Sequence, residues 1–210
     1  MRDIGEDTGA RASVAPQRAV GVDTDRIERA VAELIAAIGE DAERPGLIET
    51  PRRVAESYAE FFGGLANDPR AHLADAIDLT PGELGELVML RDIEFRSMCE
   101  HHLLPFTGVA HLAYVPGERV VGLGQLPRVV DTLASRPQLQ ERLTEEIADA
   151  LLDGLGARGV LVMLDARHGC VATRGDRQVH STTVTLASRG ELDDPTQRAA
   201  ILTLIGGSNA

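Results

Sequence analysis

The run Phe95-Arg96-Ser97-Met98-Cys99-Glu100-His101-His102-Leu103-Leu104-Pro105-Phe106 holds, at its centre, one of the two cysteines and two of the six histidines of a 210-residue chain. Before it, Val88 to Arg96 reads as a strand. After it, Gly108 to Val115 alternates small and large apolar residues and stops at Pro116-Gly117, so it reads as another. A short segment dense in metal-binding and proton-transfer side chains therefore sits between two strands. The other cysteine, Cys170, follows a third apolar strand, Val160 to Ala166, in the triplet His168-Gly169-Cys170.

Working outward, Leu126 to Ala134 has helical spacing, and Leu139, Leu143, Ile147 and Leu151 mark a longer amphipathic helix ending near Gly154. Val171 to Arg174 is predicted as a short strand, and Ser181 to Ser188, rich in threonine, as a longer one. Upstream, Ile27, Ala30, Val31, Leu34, Ile35 and Ile38 define a helix that Asp23 or Thr24 can cap. Thr50-Pro51, a hydroxyl cap followed by proline, opens a second helix that stops at Gly63-Gly64. Residues 1–22 read as a flexible tail, 23–87 as a helical appendage and linker, 88–192 as the main domain, and 193–210 as a C-terminal helix and tail. The expected class is α+β: an antiparallel sheet covered on one face by a helix pair, with open strand edges that favour oligomers.

Composition narrows the function. Acidic residues number 33 against 21 basic ones, giving a formal net charge of −12, and a nucleic-acid phosphate backbone calls for the opposite surface. All the basic residues are arginine; lysine does not occur. A few local arginines still suffice for a small phosphorylated ligand. No apolar run reaches the length of a membrane span, and Met1 to Pro16 lacks a leader pattern. The expected setting is the cytoplasm, where cysteines serve metals or catalysis more often than disulfides.

Cys99-x-x-His102 has the spacing of a zinc-ligand pair, and Cys170 can supply a third ligand. Three protein ligands leave a position for water, whose pKa zinc lowers toward neutrality. With only two cysteines, a closed structural site needs two histidines, and His101 or His168 could complete one. Two thiolates make the zinc a weak Lewis acid. Protonation of the substrate by His101 and His168 could supply the missing activation. His72 and His111 read as surface or internally bonded residues, and His180 is ambiguous.

Several stretches together resemble the GTP cyclohydrolase I family: Cys99-Glu-His-His-Leu-Leu-Pro-Phe106, Ala113-Tyr-Val-Pro116, Gln138-Leu-Gln-Glu-Arg-Leu-Thr144, His168-Gly-Cys170 and Arg174-Gly175. The resemblance, in order over about residues 23–192 and including Thr50-Pro-Arg-Arg-Val-Ala55, implies a tunnelling fold. In that fold the sheets of several subunits join into a barrel, usually a decamer of two pentamers. It also implies addition of water at C8 of GTP, release of formate and closure to 7,8-dihydroneopterin triphosphate. Zn2+ would be held by Cys99, His102 and Cys170. His168 would be the main proton donor, with His101 assisting. Glu141 would grip the guanine edge with Gln140 beside it. Arg128 and Arg174 would hold phosphate, joined by Arg53 from a neighbouring subunit.

The chain departs from the family at Gly124 and Gln125, where serine and lysine usually contact the triphosphate. A lost charge-assisted contact costs about 1.5–3 kcal/mol. This leaves a guanine nucleotide with fewer phosphates, or arrest at a formamidopyrimidine, as the alternative activity. A zinc and nucleotide binder without turnover is the alternative from another class.

Overall fold

A computed structural model describes residues 21–80, 85–175 and 177–206. The N-terminal tail expected over 1–22 lies almost wholly outside them. Helices α1 (Thr24–Ala37) and α2 (Thr50–Phe61) form a hairpin. Asp23 caps α1 by accepting from the Arg26 amide at 2.9 Å. Thr50 is not the cap of α2: Glu49 holds that place without a side-chain bond, and Thr50 is already helical ahead of Pro51. Proline fixes the first turn without needing a donor, so the helix starts without the hydroxyl.

Two 3-10 turns, Gly63–Ala66 and Pro69–Leu73, lead to β1 (Ile77–Asp78), β2 (Val88–Cys99), β3 (Pro105–Val115) and β4 (Arg119–Val120). Then come α3 (Gln125–Ala134), β5 (Pro137–Gln138), α4 (Gln140–Leu155) and β6 (Gly159–His168). The chain closes with α5 (Gly169–Ala172), β7 (Thr183–Gly190), a 3-10 turn at Glu191–Asp193 and α6 (Pro195–Gly206). The main sheet has five strands in the order β5-β2-β3-β6-β7. Its four long strands are antiparallel as expected, whereas β5 adds a short parallel pairing to the end of β2. β1 and β4 pair separately.

Strand alternation sorts the faces. Phe106, Ala110, Leu112 and Tyr114 of β3 and Val160, Val162 and Leu164 of β6 point to one side and are buried. Against them α3 brings Leu126, Val129, Val130 and Leu133, and α4 brings Leu143, Ile147, Leu151 and Leu155. Each such side chain contributes about 1.5–3 kcal/mol on burial, which makes this helix pair the principal anchor of the sheet. Ala113, Val115 and Leu161 face the other way, where Ile201 and Ile205 of α6 cover them with Leu192. Gly156 ends α4 in the left-handed region at φ 59°, where glycine carries no Cβ penalty.

The segment after His168 differs from expectation. Val171 to Arg174 forms no strand; Gly169–Ala172 makes a single helical turn, closed where Thr173 donates to the Gly169 carbonyl through both its amide and its hydroxyl, the latter at 2.7 Å. The local strand preference of Val171 and Thr173 yields to these bonds. His72 and His111 are internally bonded, as the sequence predicts: His72 Nε2 lies 2.9 Å from Thr132 Oγ1, and buried His111 accepts from the Asp92 amide at 3.3 Å.

At Gly108 a Cβ would stand 2.0 Å from the Asp165 carbonyl oxygen, backbone against backbone in the middle of the sheet. Replacing Gly108 with alanine should cost at least about 1–3 kcal/mol, read as a lowered denaturation midpoint. A second test concerns pH. Burial holds the His111 imidazole below its ordinary 6.5, Asp92 opposing, Arg91 adding and Asp165 opposing. The unfolded chain therefore binds a proton that the fold rejects, so stability is full above 6.5 and declines as pH falls below it. His111→Gln, which keeps an acceptor for the Asp92 amide, should flatten that decline in melting temperature measured against pH.

Candidate metal centre and active site

Strand register gathers the site at one end of the sheet. Met98 of β2 pairs with Pro105 of β3 and Pro137 of β5, Cys99 pairs with Gln138, and Phe106 pairs with His168. The end of β2, the start of β3, the end of β6 and the approach to α4 thus meet. Because side chains alternate, a slip of one residue would turn Cys99 to the wrong face.

The turn between β2 and β3 is tied at both sides. Cys99 accepts from the Leu103 amide at 2.8 Å and donates to the Leu104 carbonyl at 2.9 Å, while the Glu100 amide donates to the Gln138 carbonyl at 3.1 Å. Closing so tightly puts Leu103 at φ 49°, a conformation costly for a branched side chain. Glu100 also pairs with Arg142 of α4, so the turn is held against the helix that follows β5.

Cys99, His102 and Cys170 present ligand atoms that all lie within 4.8 Å of one another. Cys99 is buried, His102 exposed and Cys170 intermediate. The short α5 turn, in place of the expected strand, carries Cys170 within reach of Cys99. Burial pushes the Cys170 thiol up, and the neighbouring Cys99 adds to the effect while Arg174 opposes it. Two thiols held side by side resist ionising together unless a cation lies between them. The donor set of two sulfurs and one imidazole therefore fits Zn2+, a borderline-soft ion that binds thiolate and imidazole. Among the described residues this is the cluster suited to a metal.

His101 lies beside His102, ring centroids 6.3 Å apart and planes at 88°. His168 ends β6 and stacks on Phe106, centroids 4.7 Å apart and planes within 3°. Burial holds the His168 imidazole below 6.5, with Glu141 pulling the other way. Its Nε2 lies 2.7 Å from Gln140 Oε1. Arg174 Nη1 approaches His102 Nε2 at 3.4 Å, which places that arginine at the metal cluster. Glu141 is exposed on the first turn of α4.

The remaining arginines stand elsewhere in the single chain. Arg128 is on the first turn of α3, its Nη1 3.5 Å from Gln125 Oε1. Arg53 is on α2, in the helical hairpin. Gly124 caps α3 without a side-chain bond. The sequence reading missed Glu100 and Arg142 as a clamp on the metal turn, because an ion pair 42 positions apart in the chain leaves no local pattern.

An α+β chain with an open cluster of two thiols and an imidazole, flanked by two further histidines, has the parts of a metal-assisted hydrolase. The match to the GTP cyclohydrolase I family model spans residues 27–206, and the chain belongs to that family. It is 63% identical to GTP cyclohydrolase 1 of Leifsonia xyli subsp. xyli over 186 residues, covering 89% of this chain and 97% of that protein. Identity is 52% over 185 residues to GTP cyclohydrolase 1 of Rhodopirellula baltica, covering 88% and 80% respectively. Against the same enzyme of Clostridioides difficile it is 50% over 186 residues, covering 88% and 97%.

Cys170→Ser removes one of the three candidate donors and should weaken zinc binding by more than the roughly 10–100-fold that an outer-shell change costs. Competition with a chromogenic chelator measures this directly, with His72→Gln as a control whose affinity stays at the wild-type value.

Proposed function

We propose that this chain is a zinc-dependent cyclohydrolase that opens the imidazole ring of GTP, releases formate and yields 7,8-dihydroneopterin triphosphate. The observation that carries the reading is the meeting of Cys99, His102 and Cys170 within 4.8 Å at a sheet end also holding His168. Family membership over residues 27–206 gives it the substrate.

Bound by those three side chains, zinc would supply the Lewis acidity that makes water nucleophilic near neutral pH. The protein's own groups do the rest. His168 gives a proton to the purine as C8 is attacked, and His101 assists at the ring or ribose oxygen. Glu141 offers two acceptor oxygens to the N–H and amino donors of the guanine edge, each charged bond worth about 1.5–3 kcal/mol. Gln140 lies at the same end of the site. Arg174 and Arg128 hold phosphate, and Arg53 of a neighbouring subunit completes the grip.

That last assignment requires an assembly. β7 pairs only with β6, and β2 pairs on its outer side with β5 only at Met98 and Cys99, so two backbone edges are open among the described residues. Joining such edges between copies closes a barrel with no free edge, and a decamer of two pentamers is the arrangement we assign. Free thiols at the site fit the reducing cytoplasm. No helix among the described residues is long and apolar enough to cross a membrane.

A second reading rests on Gly124 and Gln125. They offer no cation at the start of α3, and Arg128 alone stands on that turn. A guanine nucleotide with fewer phosphates, or a formamidopyrimidine end point, would then be favoured. Zinc-loaded protein should release formate from GTP with a higher kcat/KM than from GDP, GMP or guanosine. Glu141→Gln should lower that kcat/KM by roughly 10–100-fold. A preference for GDP or GMP, or consumption of nucleotide with no formate released, would establish the second reading, and no consumption of any of the four would overturn both.

A further inference from the structure

The hydrogen bonds around Gln140 have one consistent direction. Gln140 is 1% exposed. Its Nε2 lies 2.8 Å from the Thr183 carbonyl, 3.2 Å from the Leu164 carbonyl and 3.1 Å from Thr185 Oγ1. Carbonyl oxygens only accept, so the amide N–H groups must face them and Oε1 must face the other way. The threonines agree. Thr144 Oγ1 donates to the Gln140 backbone carbonyl at 2.7 Å, which leaves it as acceptor for the Thr185 hydroxyl at 2.6 Å. Thr185 in turn is left to accept from the Gln140 amide. Turning that amide over would set Oε1 against two carbonyl oxygens with no proton between them.

Oε1 is therefore the atom that meets His168 Nε2 at 2.7 Å. An amide oxygen cannot donate, so Nε2 carries a proton and gives it to this bond. The stack on Phe106 fixes the plane of the ring. The bond to Gln140 fixes which way round the ring sits in that plane, because a half-turn would present a carbon to Oε1.

We infer that Gln140 is a positioning residue for His168: it locks the imidazole as the Nε2–H form in one orientation, leaving Nδ1 as the nitrogen that exchanges a proton with substrate. The two N–H groups of the amide are already shared among three acceptors on β6 and β7, so the side chain has little left to offer a purine. This departs from the expectation that Gln140 works by sitting beside the base. The inference rests on the cyclohydrolase reading, in which His168 moves a proton.

The test is a double-mutant cycle on zinc-loaded protein with GTP, following both substrate loss and formate. Gln140→Leu should lower kcat by roughly 10–100-fold, as misplacement of a catalytic group does, with KM within about twofold of wild type. In a His168→Ala background the same change should alter the remaining rate of substrate loss by less than about twofold. Thr185→Val, which removes one anchor of the amide, should give a smaller drop in kcat with unchanged KM; it keeps the test open if Gln140→Leu misfolds. Histidine-labelled 15N spectra at alkaline pH, with His168→Ala to assign the resonance, should show Nε2 protonated. A rise in KM with kcat retained, an undiminished cost in the His168→Ala background, or an Nδ1–H form would overturn the inference. Failure of the wild-type protein to consume GTP would instead overturn the cyclohydrolase reading.

Discussion

Pairing register at one end of the sheet is the constraint on which the rest depends. Cys99 opposite Gln138 and Phe106 opposite His168 bring four segments, far apart in the chain, to one corner. The helix pair holds that register, because Leu, Val and Ile side chains of α3 and α4 bury against the alternate residues of β3 and β6. With one face of the sheet apolar and covered, a shifted strand would expose its core side chains and bury its polar ones. Packing of the core and placement of the Cys99, His102 and Cys170 cluster are therefore a single requirement.

Irregular backbone appears where that requirement is met. Leu103 adopts a positive φ so that Cys99 and His102 can turn together, and Gly169 begins a helical turn where the sequence favours a strand. Arg142 clamps Glu100 from the helix whose preceding residues carry the Gln138 pairing. Local preference is overruled in these places, and each lies within a few residues of the metal cluster.

Much of this was legible in the sequence. Elements with a clean signal, such as the helical spacing of α4 and the apolar run of β6, fall within a few residues of where the sequence places them. The meeting of Cys99, His102 and Cys170 was readable because Cys-x-x-His is a local signal and only two cysteines exist. The helical turn at Gly169 was not, since Val171 and Thr173 favour strands and the two bonds from Thr173 to the Gly169 carbonyl that override this leave no periodic pattern in so short a turn. Nor was the direction of the Gln140 network, which needs Thr183 and Thr185 of a strand some forty residues on, as Gln140 to Thr185 are separated by 45 positions. The capping of α2 failed for a smaller reason: Pro51 makes a hydroxyl cap dispensable.

The central claim is that this register builds an open metal site from Cys99, His102 and Cys170. Anomalous diffraction at the zinc edge from crystals of the zinc-loaded protein tests it most directly. The account predicts one peak per chain, within bonding distance of both sulfurs and the His102 imidazole, with the fourth position free of protein atoms. A peak bonded also to His101 or His168, or one lying away from the two cysteines, would contradict it.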